Sequence, residues 1–380
     1  MKKFLALLLS VVMVLSLVAC GETKEPEAAP ETTDEPEVVE AAFSVAMVTD
    51  YGDITDMSFN QTTYEACKAF CEANSLQFTY YKPASDSDED RITSIETAID
   101  EGYNVIVMPG YAFANAIKAT CGENPDVTFI ALDVGEGDFG DFQLPENTYS
   151  AVYQEELCGY MAGYAAVKLG YKKLGYLGGM AVPAVVRYGY GFIQGADAAA
   201  AELGLTDVEC KYAYGNQFFG DADITAAMDV WYTSGTEVVF ACGGGIFTSA
   251  AEAAAKVGGK VIGVDVDQAG IIDGGYGAGM TVTSAMKGLA ATVDTLLAKV
   301  VAGSFQGGQI ESLGLVSAVP TENYVQIAPS TQFADGFTEA DYEALVADMY
   351  AGKVTVSNDI TVAAADCATI ISVVDQGNIK

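Results

Sequence analysis

The segment Asp50-Tyr51-Gly52-Asp53-Ile54-Thr55-Asp56-Met57-Ser58-Phe59-Asn60-Gln61 gathers acids, a hydroxyl, an amide and aromatic rings where a strand should give way to a helix. Asp56 or Ser58 suits the N-cap of that helix. Phe59 reads either as core or as a half-exposed ring facing a ligand. Gly178-Gly179-Met180-Ala181-Val182-Pro183 makes a second such turn, with glycines for the sharp bend and Pro183 for the first helical turn. Tyr188 follows it in the same relation to its strand as Phe59, and two facing aromatics would form a slot for a flat ring. Gly243, Gly244 and Gly245 form a third turn, whose backbone N–H groups could hold ligand oxygens or merely bend the chain. It has neither the GK[ST] of a P-loop nor a GxGxxG pattern, so it offers little to a nucleotide phosphate. Asp265 and Asp267 end another strand, as a catalytic carboxylate pair or as acceptors for sugar hydroxyls. Lys287 is expected at the start of a helix beginning near residue 284. A cation there opposes the helix dipole and calls for a partner, Asp265 or a ligand oxygen.

Composition narrows the chemistry. The net charge is −34 and histidine is absent, so Ser-His-Asp and Cys-His mechanisms are excluded. So acidic a surface repels phosphate backbones, and no nucleic-acid partner is expected. Asp86, Asp88 and Asp90 alternate as in a calcium loop, but Arg91 and Thr97 stand where glycine and glutamate are required. That run reads as a solvated helix start, and no metal or cofactor is expected. Arg91 and Arg187 are the only arginines, too few for a phosphate clamp. The cysteines contain no CxxC pair and read as reduced, buried small hydrophobes.

Ahead of all this, Lys2 and Lys3, an apolar run over 4–18 and Ala19-Cys20 resemble a bacterial lipoprotein signal. The resemblance implies cleavage after residue 19 and a lipid, palmitate included, on Cys20. Residues 20–42 are rich in Glu, Pro, Ala and Thr and read as a disordered acidic tether. The apolar run is shorter than the roughly 20 residues that span a bilayer. The body is therefore expected outside the cytoplasm, anchored to the outer face of the cell membrane.

From residue 43 onward short apolar runs alternate with helical periodicity. Strands are expected near 43–48, 76–81, 104–108, 127–132, 173–177, 208–212, 237–241 and 261–264, with another after residue 279 and a mixed β region beyond 302. Helices are expected near 57–74, 88–101, 111–121, 154–169, 183–203, 221–233, 246–257, 284–302 and 339–350. This is an α/β pattern of mostly parallel sheets covered by helices on both faces. The length favours two domains, and the Gly, Asp and Pro over 133–147 mark the end of one unit. Ligands of such sheets bind at the carboxyl ends of strands, so a cleft between two of them is the default site.

The order and spacing of Asp50…Asp56-Met57-Ser58-Phe59-Asn60, Gln154-Glu155-Glu156-Leu157-Cys158-Gly159, Gly178-Gly179-Met180…Pro183…Arg187-Tyr188, Gly263-Val264-Asp265-Val266-Asp267-Gln268 and Thr283-Ser284…Lys287 resemble the basic membrane protein family of PnrA-like lipoproteins. These are substrate-binding components of ABC importers, several of which bind nucleosides. The resemblance implies a two-lobed type I periplasmic-binding-protein fold in which the chain crosses between lobes more than once. One lobe would take 43–149 plus about 284–310, the other 150–283 plus about 311–380. It implies that Asp50 and Asn60 read a base between Phe59 and Tyr188. Asp265 and Lys287 would hold ribose hydroxyls, with the Gly243–Gly245 turn at the sugar end. Tyr188 stands where phenylalanine is usual, and 215–220 departs from the usual loop. Implied partners are a nucleoside, purine nucleosides favoured, and the permease and ATPase subunits of an importer, served by a monomer. Alternatives are the same fold holding a sugar or other small polar metabolite, an exported hydrolase using Asp265 and Asp267, and a ligand-free adhesin.

Overall fold

Runs such as Val-Ile-Val-Met-Pro and Val-Val-Phe-Ala-Cys have no polar side to turn to water, and in the computed structural model both are central strands buried along their whole length. The structure describes residues 43–50 and 52–380. The signal, Cys20 and the tether lie outside the described residues.

Chain order begins with β1 (Ser44–Val48), α1 (Phe59–Asn74), β2 (Gln77–Tyr81), α2 (Asp88–Asp100), β3 (Val105–Pro109), α3 (Ala114–Thr120), β4 (Thr128–Leu132), α4 (Glu136–Phe139) and β5 (Thr148–Tyr153). It continues through α5 (Glu155–Lys168), β6 (Lys173–Gly178), α6 (Pro183–Leu203), β7 (Glu209–Tyr214), α7 (Ala222–Thr233), β8 (Val238–Cys242), α8 (Phe247–Ala255), β9 (Lys260–Asp265), α9 (Ala269–Tyr276) and β10 (Thr281–Lys287). The last elements are α10 (Leu289–Val301), β11 (Gln309–Leu313), β12 (Val325–Ile327), α11 (Glu339–Tyr350) and β13 (Ser372–Asn378). Two sheets result, in the orders β11-β5-β4-β3-β1-β2 and β12-β10-β9-β8-β6-β7-β13. Every pairing is parallel except that of β12 with β10. This is the two-lobed α/β fold that the sequence suggests.

Three expectations are corrected. Residues 284–287 are not helical: they finish β10, whose register against β9 pairs Ser284 with Gly263 and Met286 with Asp265. Residues 148–153, read as following the end of a unit, form β5 and pair with both β4 and β11. Sheet membership consequently changes after Tyr153, Lys287 and Leu313. The expected lobe boundaries at 149/150, 283/284 and 310/311 each fall inside a strand, and the chain crosses only where that strand's pairing ends.

The second lobe is organised by an unusually close crossing of α5 and α6. A Cβ on Gly163 would lie 2.0 Å from the Phe192 carbonyl oxygen, and one on Gly191 would lie 2.1 Å from that of Glu156. The helices therefore meet backbone to backbone, which only glycine permits. α5 carries Glu155 and α6 carries Arg187 and Tyr188, so the seam sets the distance between groups that reach the cleft.

Candidate functional site

The carboxyl ends of β1, β3 and β4 in the first lobe face those of β6, β8, β9 and β10 in the second. Between them lies a cavity of about 370 Å3 lined by Asp50, Phe59, Asn60, Tyr188, Gly243, Gly244, Asp265 and Lys287. The structure thus brings together all eight cleft residues singled out from the sequence. The volume falls within the roughly 300–1,000 Å3 usual for small-ligand sites.

On the first lobe, the Asp56 carboxylate accepts from the backbone N–H groups of Ser58 (2.9 Å), Asn60 (2.9 Å) and Gln61 (3.0 Å). It thereby serves orphan donors at the start of α1, and burial raises its pKa. Ser58 occupies the N-cap position but its hydroxyl does not cap the helix. The Asn60 side chain is held by its Nδ2 donating to Asp56 (3.1 Å) and Asp50 (3.3 Å). Asp50 in turn accepts from Gly52 N at 2.6 Å, and its carbonyl accepts from Arg91 Nε at 3.0 Å. Arg91 is buried, while its partners Asp86 and Asp88 remain exposed. The 86–91 run is thus a solvated helix start with one residue turned inward to steady the cleft.

On the second lobe, Lys287 ends β10 inside an acid cage. Its Nζ lies 2.5 Å from Asp133, 3.5 Å from Glu155 and 3.8 Å from Asp265. The ammonium also sits 4.7 Å from the Phe59 ring centroid and 5.8 Å from that of Tyr188, within cation–π range. Burial disfavours a charged lysine, but the three carboxylates outweigh it and push its pKa upward. Asp133 is pushed up to about 6, first by burial, with Lys287 opposing and Glu155 and Asp265 reinforcing. Arg187 Nε donates to the far side of Glu155 at 2.7 Å. Asp265 accepts from Ser58 Oγ at 2.5 Å and from the Tyr188 hydroxyl at 3.4 Å. Asp133 and Asp265 both have positive φ, 64° and 63°, each at the end of a strand. Such backbone strain collects at functional sites.

The glycine turn after β8 makes room for an aromatic. A Cβ on Gly243 would stand 2.8 Å from the Phe218 ring, and Gly245 N donates to the Phe218 carbonyl at 2.8 Å. Phe218 and Phe219 join Phe59 and Tyr188 in the cavity wall. Asp267 does not line the cavity. It accepts from Ala269 N and Ser330 Oγ instead, so Asp265 and Asp267 do not converge as a catalytic pair.

Arg91, Asp133, Glu155, Arg187 and Phe218 are site residues that the sequence reading left without a role in the cleft, and Ser58 was read only as a candidate N-cap. Asp133 carried one usable signal, an acid closing an apolar strand-like run, as with Asp50 and Asp265. Among the described residues, four buried side-chain atoms lack a hydrogen-bond partner. Two of them, Asn60 Oδ1 and Asp133 Oδ1, belong to residues lining this cavity. Buried acceptors are rarely left unpaired.

Comparison with known proteins identifies the family and the fold. The description of the Bmp family, PnrA-like substrate-binding proteins of ABC transporters, matches residues 43–333. The ABC transporter nucleoside-binding protein BmpA of Lactococcus lactis subsp. cremoris is 30% identical over 298 residues, covering 73% of this chain and 80% of that protein. Basic membrane protein B of Borreliella burgdorferi is 27% identical over 287 residues, covering 73% and 80%. Among solved structures, an ABC transporter solute-binding protein from Conexibacter woesei superposes with a TM-score of 0.65 at 22% identity, covering 83% of this chain and 99% of that one. Its counterpart from Aeropyrum pernix gives 0.64 at 22%, covering 84% and 88%. The chain belongs to the Bmp family of PnrA-like ABC transporter substrate-binding proteins.

Proposed function

We propose that this substrate-binding protein captures nucleosides, purine nucleosides foremost, and performs no chemistry on them. It would act outside the cytoplasm as a lipid-anchored monomer, delivering ligand to the permease and ATPase subunits of an importer. The observation that carries the reading is the pair of buried acceptors without a hydrogen bond, Asn60 Oδ1 and Asp133 Oδ1, in a cavity walled in part by the rings of Phe59, Tyr188, Phe218 and Phe219. A purine nucleoside has what this lining asks for: a flat apolar body, an edge with N–H donors and a sugar with O–H donors. Phe59 and Tyr188 take the faces of the base, with Asp50 and Asn60 on its edge. Asp265, Lys287 and Asp133 hold the ribose hydroxyls beside the turn of Gly243 and Gly244. The relative from L. lactis, named as nucleoside-binding, supports the same ligand class.

Native mass spectrometry of the purified protein identifies what co-purifies, and calorimetry with inosine, guanosine, cytidine, free base and ribose ranks the candidates. Phe59→Ala should weaken inosine binding by about 5- to 150-fold, from roughly 1–3 kcal/mol of base–aromatic stacking. Asp265→Ala should weaken it at least as much. Nucleosides giving no binding, or ribose binding as tightly as inosine, would refute the proposal.

A further inference from the structure

Besides the Asp133–Lys287 pair, the first lobe reaches the second through two consecutive residues, Met57 and Ser58, and both grip the turn that carries Asp265. Ser58, fully buried, donates from Oγ to Asp265 Oδ2 at 2.5 Å. Met57, at φ 59°, turns its carbonyl to accept from Gln268 Nε2 at 3.2 Å. Gln268 is also fully buried, and its Oε1 accepts from Val264 N at 2.9 Å. Between them Asp265 sits at the centre of a three-residue turn closed by Val266 N to the Val264 carbonyl at 2.7 Å, a strained conformation.

An ordinary N-cap explanation for Ser58 fails. The N–H groups its hydroxyl would serve, those of Asn60 and Gln61, are already bound to Asp56. Its hydroxyl is committed to the opposite lobe.

Resting on the receptor reading above, we infer that Ser58 and Gln268 form a closing latch, with Ser58 the positioning residue that couples cleft closure to ligand binding. The coupling runs through one carboxylate. Oδ2 of Asp265 is held by Ser58 only when the lobes meet, and that contact orients Oδ1 beside Tyr188 and Lys287 at the cavity. A ligand hydroxyl on Oδ1 and the Ser58 hydroxyl on Oδ2 then favour the same rotamer. By linkage, a ligand that prefers this rotamer favours closure, and closure favours the ligand.

The test is Ser58→Ala in the full chain, read in three ways. Inosine affinity should fall about 10- to 100-fold, the range of a charge-assisted hydrogen bond. The loss should lie in the dissociation rate. Small-angle scattering should show a larger radius of gyration than wild type, with and without inosine. The ligand-free melting temperature should fall only slightly, because Asp56 still caps the helix and parted lobes return the Asp265 carboxylate to water. In an Asp265→Asn background the same substitution should cost much less. An unchanged dissociation rate and radius would overturn the latch, as would a markedly lowered melting temperature with unchanged dissociation. Should the wild type bind no inosine, the nucleoside reading falls, and the radii of the two proteins alone decide for or against the latch.

Discussion

Replacing Lys287 with methionine keeps the reach of the side chain and deletes its charge. Three carboxylates then share a buried space without the ammonium that lies 2.5, 3.5 and 3.8 Å from them. At an effective dielectric near 20, a pair at 4 Å is worth about 4 kcal/mol. The gross attraction is largely offset by the cost of burying the lysine and by repulsion among the acids. Breaking a buried pair from one side costs a net ~3–5 kcal/mol, because the remaining charge is left uncompensated. At about 2–4 °C per kcal/mol for chains of 150–250 residues, the low end of that scale gives a fall of about 6–10 °C at pH 8. The pH dependence carries the sharper signature. Lys287 holds Asp133 down from where burial alone would put it, and even so Asp133 titrates at about 6. Without the lysine the acids bind protons more tightly in the folded state. The variant should therefore recover relative to wild type as pH falls from 8 through 6. Differential scanning calorimetry of both proteins at pH 8, 7, 6 and 5.5 measures this gap. Equal melting temperatures at pH 8, or a gap that ignores pH, would refute an acid cage neutralised by one ammonium.

Glu156 is buried, its Oε2 without a hydrogen bond and 3.9 Å from Arg187 Nε, and its carboxyl is raised to about 7, chiefly by burial, with Arg187 opposing. A raised acid contributes stability below its ordinary value of 4.5 and loses it as pH rises through 7. Glu156→Gln should therefore flatten that decline and stabilise the protein at pH 8 by up to ~3 kcal/mol, measured by urea melts across pH 4.5–8. Gly163→Ala should lower stability by about 1–3 kcal/mol or more, since its Cβ would stand 2.0 Å from a carbonyl that cannot rotate away. Inosine affinity should fall with it as α5 and α6 separate, and calorimetry on the folded variant checks this.

Helices 183–203 and 339–350 were legible to the residue, because each has clear chemistry at its start. Pro183 opens one, and the Thr338–Asp341 capping box opens the other. Residues 284–287 misled because Ala285-Met286-Lys287 flows into the apolar face of the next helix, and pairing with β9 settles their conformation. β5 was hidden behind a loop rich in Gly, Asp and Pro. In the cleft, residues at strand ends were readable, since turn chemistry marks them locally. Ser58 and Glu155 do not stand at strand ends, and their roles depend on partners 207 and 132 positions away, meetings that no local spacing encodes.

The backbone-to-backbone seam of α5 and α6 has a consequence for how this molecule can change what it carries. Helices in such contact cannot slide by a fraction of an ångström, because neighbouring carbonyls block every small step. Glu155, Arg187 and Tyr188 thus travel as a single casting. Variation in cargo among descendants of this chain should then be written mainly on the opposite bank and in the Phe218–Phe219 loop, leaving that casting untouched.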